Sequence, residues 1–116
     1  MKAKIRVRNH REVPFVEMQG TFTNVNVDLL SQRLEIVNSK NPSAIVLDIS
    51  RTHFMDSYGL ATIVYYHSLL QRDNRTLYIL NKNPDSMAYM IQLFEVTKLH
   101  KVLNIVDSEE LLQPAS

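Results

Sequence analysis

The spacing of apolar and polar positions along this chain changes several times, and each change predicts an element. In AKIRVR, Ala3, Ile5 and Val7 alternate with Lys4, Arg6 and Arg8. That is the period of a strand with one wet face. VPFVEMQ, reached through NHRE, reads as a second strand, so residues 3–19 form a strand pair. Pro14 is tolerable there at a sheet edge or strand entry. Gly20 is expected to break the chain. After TFTNVNVD, the residues Val27, Leu30, Leu34 and Val37 recur at three and four positions, which predicts a helix. Asn26 is its candidate cap, and Asn41-Pro42 marks the turn beyond it.

AIVLDIS, residues 44–50, is almost continuously apolar until Asp48. A strand covered on both faces reads this way and usually has parallel neighbours. RTHFMD then reads as a loop whose Phe54 and Met55 turn inward. A second helix follows over roughly 57–72, with Leu60, Ile63 or Val64, and His67 or Ser68 on its packed stripe. Arg72-Asp73-Asn74 ends it. TLYILN, 76–81, is another strand, and Asn83-Pro84-Asp85 opens a third helix with Met87, Met90, Ile91 and Phe94 buried. HKVLNIV supplies a last short strand, and DSEELLQ a terminal helix capped by Asp107 or Ser108.

The order β-β-α-β-α-β-α-β-α points to an α/β fold: one mixed, largely parallel sheet of four or five strands, with helices packed mainly on one face. Leu30, Leu34, Ile45, Val46, Leu47, Ile49, Val64, Leu77, Ile79, Met90 and Phe94 are the expected core.

Composition narrows the chemistry. At 116 residues the chain has the size of one domain, and residues 1–116 are read as such. Thirteen basic and twelve acidic side chains leave a formal charge of +1, which selects no partner class. The basic start, Lys2 to Arg11, lacks aromatic interleaving and any binding motif, so direct nucleic-acid contact is not expected. The absence of cysteine excludes disulfides, thiolate catalysis and cysteine-ligated metal. No run is long enough to span a bilayer and the N-terminus lacks a secretory pattern, so the expected setting is the cytoplasm without membrane insertion.

None of His10, His53, His67 and His100 has metal-site spacing, and no metal or cofactor is expected. His53, three residues before Asp56 and near Ser57, suggests a hydrolytic constellation, but sequence adjacency gives neither an oriented base nor an oxyanion hole. The two glycines, Gly20 and Gly59, stand alone, which excludes a phosphate-cradling loop.

The stretch FMDSYGL, Phe54 to Leu60, holds the remaining candidates. It lies beyond the carboxyl end of a buried strand, where open parallel sheets place their sites. Asp56 or Ser57 suits a plain helix cap and equally a functional one. Gly59 inside the first turn costs about 1 kcal/mol relative to alanine, which suggests close approach by another backbone or by a partner. Tyr58 either offers its ring to a partner or covers the protein's own loop 51–55. Phosphorylated, Ser57 would gain about −1.5 to −2 charge, tolerable to a helix N-terminus but not to a surface complementary to a neutral hydroxyl.

The segment SAIVLDISRTHFMDSYGLATIVYYHSLL resembles the central part of STAS domains, in particular the single-domain bacterial anti-sigma factor antagonists. The likeness extends over roughly residues 5–110 and rests on V-L-D-hydrophobic, F-M-D-S and x-G-L. It implies a non-enzymatic regulator that binds an anti-sigma factor which is also a GHKL-type serine kinase. That kinase would phosphorylate Ser57, and a PP2C-type phosphatase would reverse it. Asp56, Ser57, Tyr58, Gly59 and Leu60 would form the partner-binding surface. Tyr58 replaces a common second hydroxyl residue, Ala61 a common glycine, and Thr23 a common aspartate. The same family includes structural or scaffold subunits of signalling and lipid-transport complexes, in which Asp56-Ser57 would serve as a cap without phosphorylation.

Overall fold

The computed structural model describes residues 2–83, 95 and 97–112. Strand β1 (Lys4–His10) turns through Arg11 and Glu12, both at positive φ, into antiparallel β2 (Val13–Phe22). Helix α1 (Val27–Asn38), β3 (Ala44–Met55), α2 (Ser57–Arg72), β4 (Thr76–Leu80) and β5 (Asn104–Val106) follow. The five strands lie in sequence order, and β2, β3, β4 and β5 are mutually parallel. The mixed α/β sheet expected from the pattern is therefore present with five strands.

Helices α1 and α2 cover one face. Val16, Met18, Ile45, Leu47, Ile49, Leu77 and Ile79 from the strands meet Leu30, Leu34, Val37, Leu60, Ile63, Tyr66 and Leu70 from the helices. The other face carries a smaller cluster, Phe15, Val46 and Leu80, against which Tyr78 and Leu112 pack. This second cluster is why β3 reads as apolar on both sides. Arg8 lies over the Phe15 ring at 4.2 Å and donates to Glu17 and Glu109, at 3.1 and 2.8 Å. The 107–112 segment is thereby tied to β1.

Several expectations need correction. Gly20 does not end β2; it lies inside it at φ 97°, beside a register shift. A Cβ there would come within 2.5 Å of the Lys2 carbonyl oxygen, so the backbone of the N-terminal arm needs this space. RTHFMD is not a loop, because β3 continues to Met55. Met55 is buried, but Phe54 stays partly exposed. On α2 the core position falls to Ile63, with Val64 only half-buried. Asn26 precedes α1 without capping it through its side chain. The terminal helix shrinks to one 3-10 turn, Glu109–Leu111, with Ser108 accepting from the Glu110 N–H. The third helix, with Met90 and Phe94, falls on residues outside those described.

Candidate functional site

The β3–α2 junction is built around one carboxylate. Asp56 is extended, at φ −92° and ψ −174°, and stands at the N-cap of α2. Its Oδ1 accepts from the Tyr58 and Gly59 N–H groups at 3.0 and 3.2 Å. Those are two of the donors that a helix start leaves without partners. Its Oδ2 accepts from the Asn24 N–H at 3.0 Å, reaching across to the loop between β2 and α1. The Asp56 N–H donates to the Phe22 carbonyl at 3.1 Å. One residue therefore fastens the start of α2, the end of β2 and the neighbouring loop together.

Ser57 is the first residue of α2 and is exposed. With Asp56 already satisfying the helix donors, its hydroxyl has no hydrogen bond among the described residues. Tyr58 is 60% exposed, so its ring does not cover the segment 51–55. Its carbonyl accepts from the Thr62 hydroxyl at 3.0 Å. Val25, in the loop that Asp56 holds through Asn24, is 88% exposed.

Gly59 and Leu60 face inward instead of outward. A Cβ at Gly59 would stand 2.5 Å from Met55 Cγ and 3.2 Å from its sulfur. The close approach expected here, by another backbone or a partner, is instead made by the protein's own Met55 side chain, packed beneath the first turn. Of the residues proposed for partner contact, Ser57 and Tyr58 form an exposed corner, Asp56 positions it, and Gly59 with Leu60 anchor it from below.

His53 is exposed and makes no hydrogen bond to Asp56 or Ser57 among the described residues, so no catalytic triad is assembled. His67 is buried on α2, with Nδ1 lacking a partner among the described residues. No group of three or more potential metal ligands occurs among the described residues. Sequence reasoning missed the loop 23–26 as part of this corner. The signal was an exposed valine between two asparagines, TNVN, directly before the α1 helical pattern.

Known proteins resemble the chain over most of its length. An anti-sigma F factor antagonist of Paenibacillus polymyxa is 26% identical over 110 residues, covering 94% of this chain and 91% of that protein. The crystal structure of an anti-sigma factor antagonist from Mycobacterium paratuberculosis superposes with a TM-score of 0.82 at 21% identity, over 94% of this chain and 89% of that one. The Bacillus cell fate determinant SpoIIAA in its phosphorylated form gives 0.67 at 18% identity, over 92% and 94%. No described helix is long and apolar enough to cross a membrane. The family model of the STAS domain matches residues 4–111, nearly the whole chain, and the protein belongs to the STAS domain family.

Proposed function

We propose that this protein is an anti-sigma factor antagonist, a regulator of transcription that works by binding, not by catalysis, and is switched by phosphorylation of Ser57. The observation that carries the reading is the free, exposed Ser57 hydroxyl on the first turn of α2, beside an Asp56 whose carboxylate is spent on the protein's own backbone. A group placed like this is open to a kinase without any loss of fold. The relatives named as anti-sigma factor antagonists support the same reading, and one of them has been solved in a phosphorylated form.

The partner is an anti-sigma factor that doubles as a GHKL-type serine kinase, opposed by a PP2C-type phosphatase. Tyr58, and Val25 on the loop that Asp56 holds, expose apolar surface suited to a partner that packs over the corner. Residues 1–116 act as one domain in this role, and the setting is the cytoplasm. Phosphate adds about −1.5 to −2 charge next to the Asp56 carboxylate. A partner shaped around the neutral hydroxyl then meets like charge and a desolvation cost, which penalises the modified state alone.

The test is incubation with the cognate anti-sigma kinase and ATP, followed by mapping of the modified residue by mass spectrometry. Stoichiometric phosphate on Ser57, with weaker kinase binding afterwards, is the expected result. Phosphate on another residue, or none from a kinase active on its own substrate, promotes the alternative of a constitutive scaffold subunit.

A further inference from the structure

The sheet carries a second polar site, independent of Ser57. Strand register places Arg6, Glu17 and Asp48 side by side across β1, β2 and β3, with Lys4, Gln19 and Arg51 in the next row. A cleft of about 660 Å³ opens here and reaches α1, lined among others by Lys4, Arg6, Arg51, Lys82, Glu17 and Asp48, and by Arg33 of α1. Its size suits a small molecule. Lys4, Arg6 and Arg51 have no ion-pair partner among the described residues, whereas Lys82 reaches Glu109 at 3.4 Å. Cations that outnumber the carboxylates beside them raise the local concentration of anions.

Asp48 gives the cleft a second kind of contact. Its side chain is one of the few buried polar groups, at 7% exposed. Oδ1 accepts from the Ser50 N–H at 2.9 Å, while Oδ2 has no hydrogen-bond partner among the described residues. Oδ2 is therefore open in the cleft, where it can accept a hydrogen bond from a ligand donor. The floor is held in place: the Ser50 hydroxyl accepts from the Lys82 N–H at 2.8 Å, and Asn83 donates to the Ser50 carbonyl at 3.4 Å. β3 and the chain leaving β4 are thus fixed to one another at the site.

We propose that this cleft binds a small phosphate-bearing amine, with Lys4, Arg6 and Lys82 holding the phosphate and the free oxygen of Asp48 accepting from the amine. The ordering of affinities follows from the two contacts. Phosphate alone satisfies the cations but leaves Asp48 unmatched and adds a like charge near it. An amine alone satisfies Asp48 but meets the cations.

The full-length chain, labelled with nitrogen-15, is titrated at constant ionic strength with phosphoethanolamine, inorganic phosphate and ethanolamine. Amide shifts are expected at residues 4–6, 48–51 and 82, with phosphoethanolamine binding at least about tenfold more tightly than phosphate. Asp48→Asn, which keeps the acceptor for the Ser50 N–H, should bring phosphoethanolamine down to the level of phosphate. Arg6→Gln, on the exposed β1 edge, should weaken both and leaves the test intact if the Asp48 variant fails to fold. A flotation arm with phosphatidylethanolamine vesicles separates a lipid headgroup from a free metabolite; either source upholds the site. Equal affinity for phosphate and phosphoethanolamine, or shifts that follow ionic strength alone, would overturn it.

Discussion

The two strand-to-helix junctions on the helix-covered side begin with almost the same side chain and use it in opposite directions. Asn26 ahead of α1 turns backwards: its Oδ1 accepts from the Thr23 N–H at 2.9 Å and its Nδ2 donates to the Thr21 carbonyl at 2.8 Å. It closes the turn and leaves the α1 donors without a side-chain cap. Asp56 ahead of α2 points forwards onto the Tyr58 and Gly59 N–H groups. Backbone conformation separates the two, since Asp56 is extended at ψ −174° and Asn26 has ψ 10°. An N-cap side chain reaches the helix donors from an extended residue, not from the bridge conformation. The lesson is a division of labour: where the aspartate caps, the serine after it is released from structural duty. Asn24 joins the junctions, because its N–H is held by Asp56.

The largest break in this comparison is Asp56→Ala. It removes a cap and the link to Asn24, and should cost about 2 kcal/mol, the upper end for N-cap replacements. Denaturant unfolding measures this directly. Because Asn24 belongs to the loop that Asn26 closes, Asp56→Ala and Asn26→Ala should also fail to add in a double-mutant cycle, with a coupling of at least about 0.5 kcal/mol. Strict additivity would mean that the junctions are independent.

α1, lacking a side-chain cap, takes support from α2 instead. The Tyr66 hydroxyl donates to Glu35 at 3.0 Å and reaches the Ser31 carbonyl at 3.3 Å. Tyr66→Phe should therefore cost about 1.5 kcal/mol, between a neutral and a charge-assisted bond. Burial, then the hydrogen bond and charge of Glu35, push the Tyr66 hydroxyl up from 10.0 to about 12. A pKa raised on folding stabilises fully below the unfolded value of 10.0, and the contribution is lost as pH climbs through about 12. Alkaline unfolding curves of wild type and Tyr66→Phe should accordingly converge across that window. Asn26→Ala alone should cost less, about 1 kcal/mol, since it leaves half-exposed groups that water can reach.

How far the sequence revealed this depended on the range of the forces involved. Helices α1 and α2 were legible almost to the residue, because Leu30, Leu34, Leu60 and Ile63 fall at helical spacing and Asp73-Asn74 stops α2. The buried β3 was legible from its uninterrupted apolar run. Its extension through Arg51–Met55 was not, since that stretch is held by pairing with Gln19–Phe22, a partner distant in sequence. Gly20 looked like a stop for the same reason: its positive φ serves a bulge and the crossing of Lys2, which no local pattern encodes. Sequence put Asp56 and Ser57 at the start of α2 but left open which of them caps. Only the geometry separates the carboxylate that binds the backbone from the hydroxyl that does not.

The smallest effect expected is the most telling about that separation. Ser57→Ala removes an exposed hydroxyl that holds nothing among the described residues, so stability should change by no more than about 0.5 kcal/mol. Asp56→Ala, one position earlier, should cost several times as much. The two variants should also part in function. Ser57→Ala should bind the kinase partner as the unmodified protein does and stay bound after ATP is added. Ser57→Asp supplies about one charge in place of a phosphate's −1.5 to −2, so it should weaken binding only in part. Melting temperatures and partner titrations on the same three proteins decide the matter. If Ser57→Ala melts as low as Asp56→Ala, the serine is a structural member of the cap, and the division of labour at this junction is wrong.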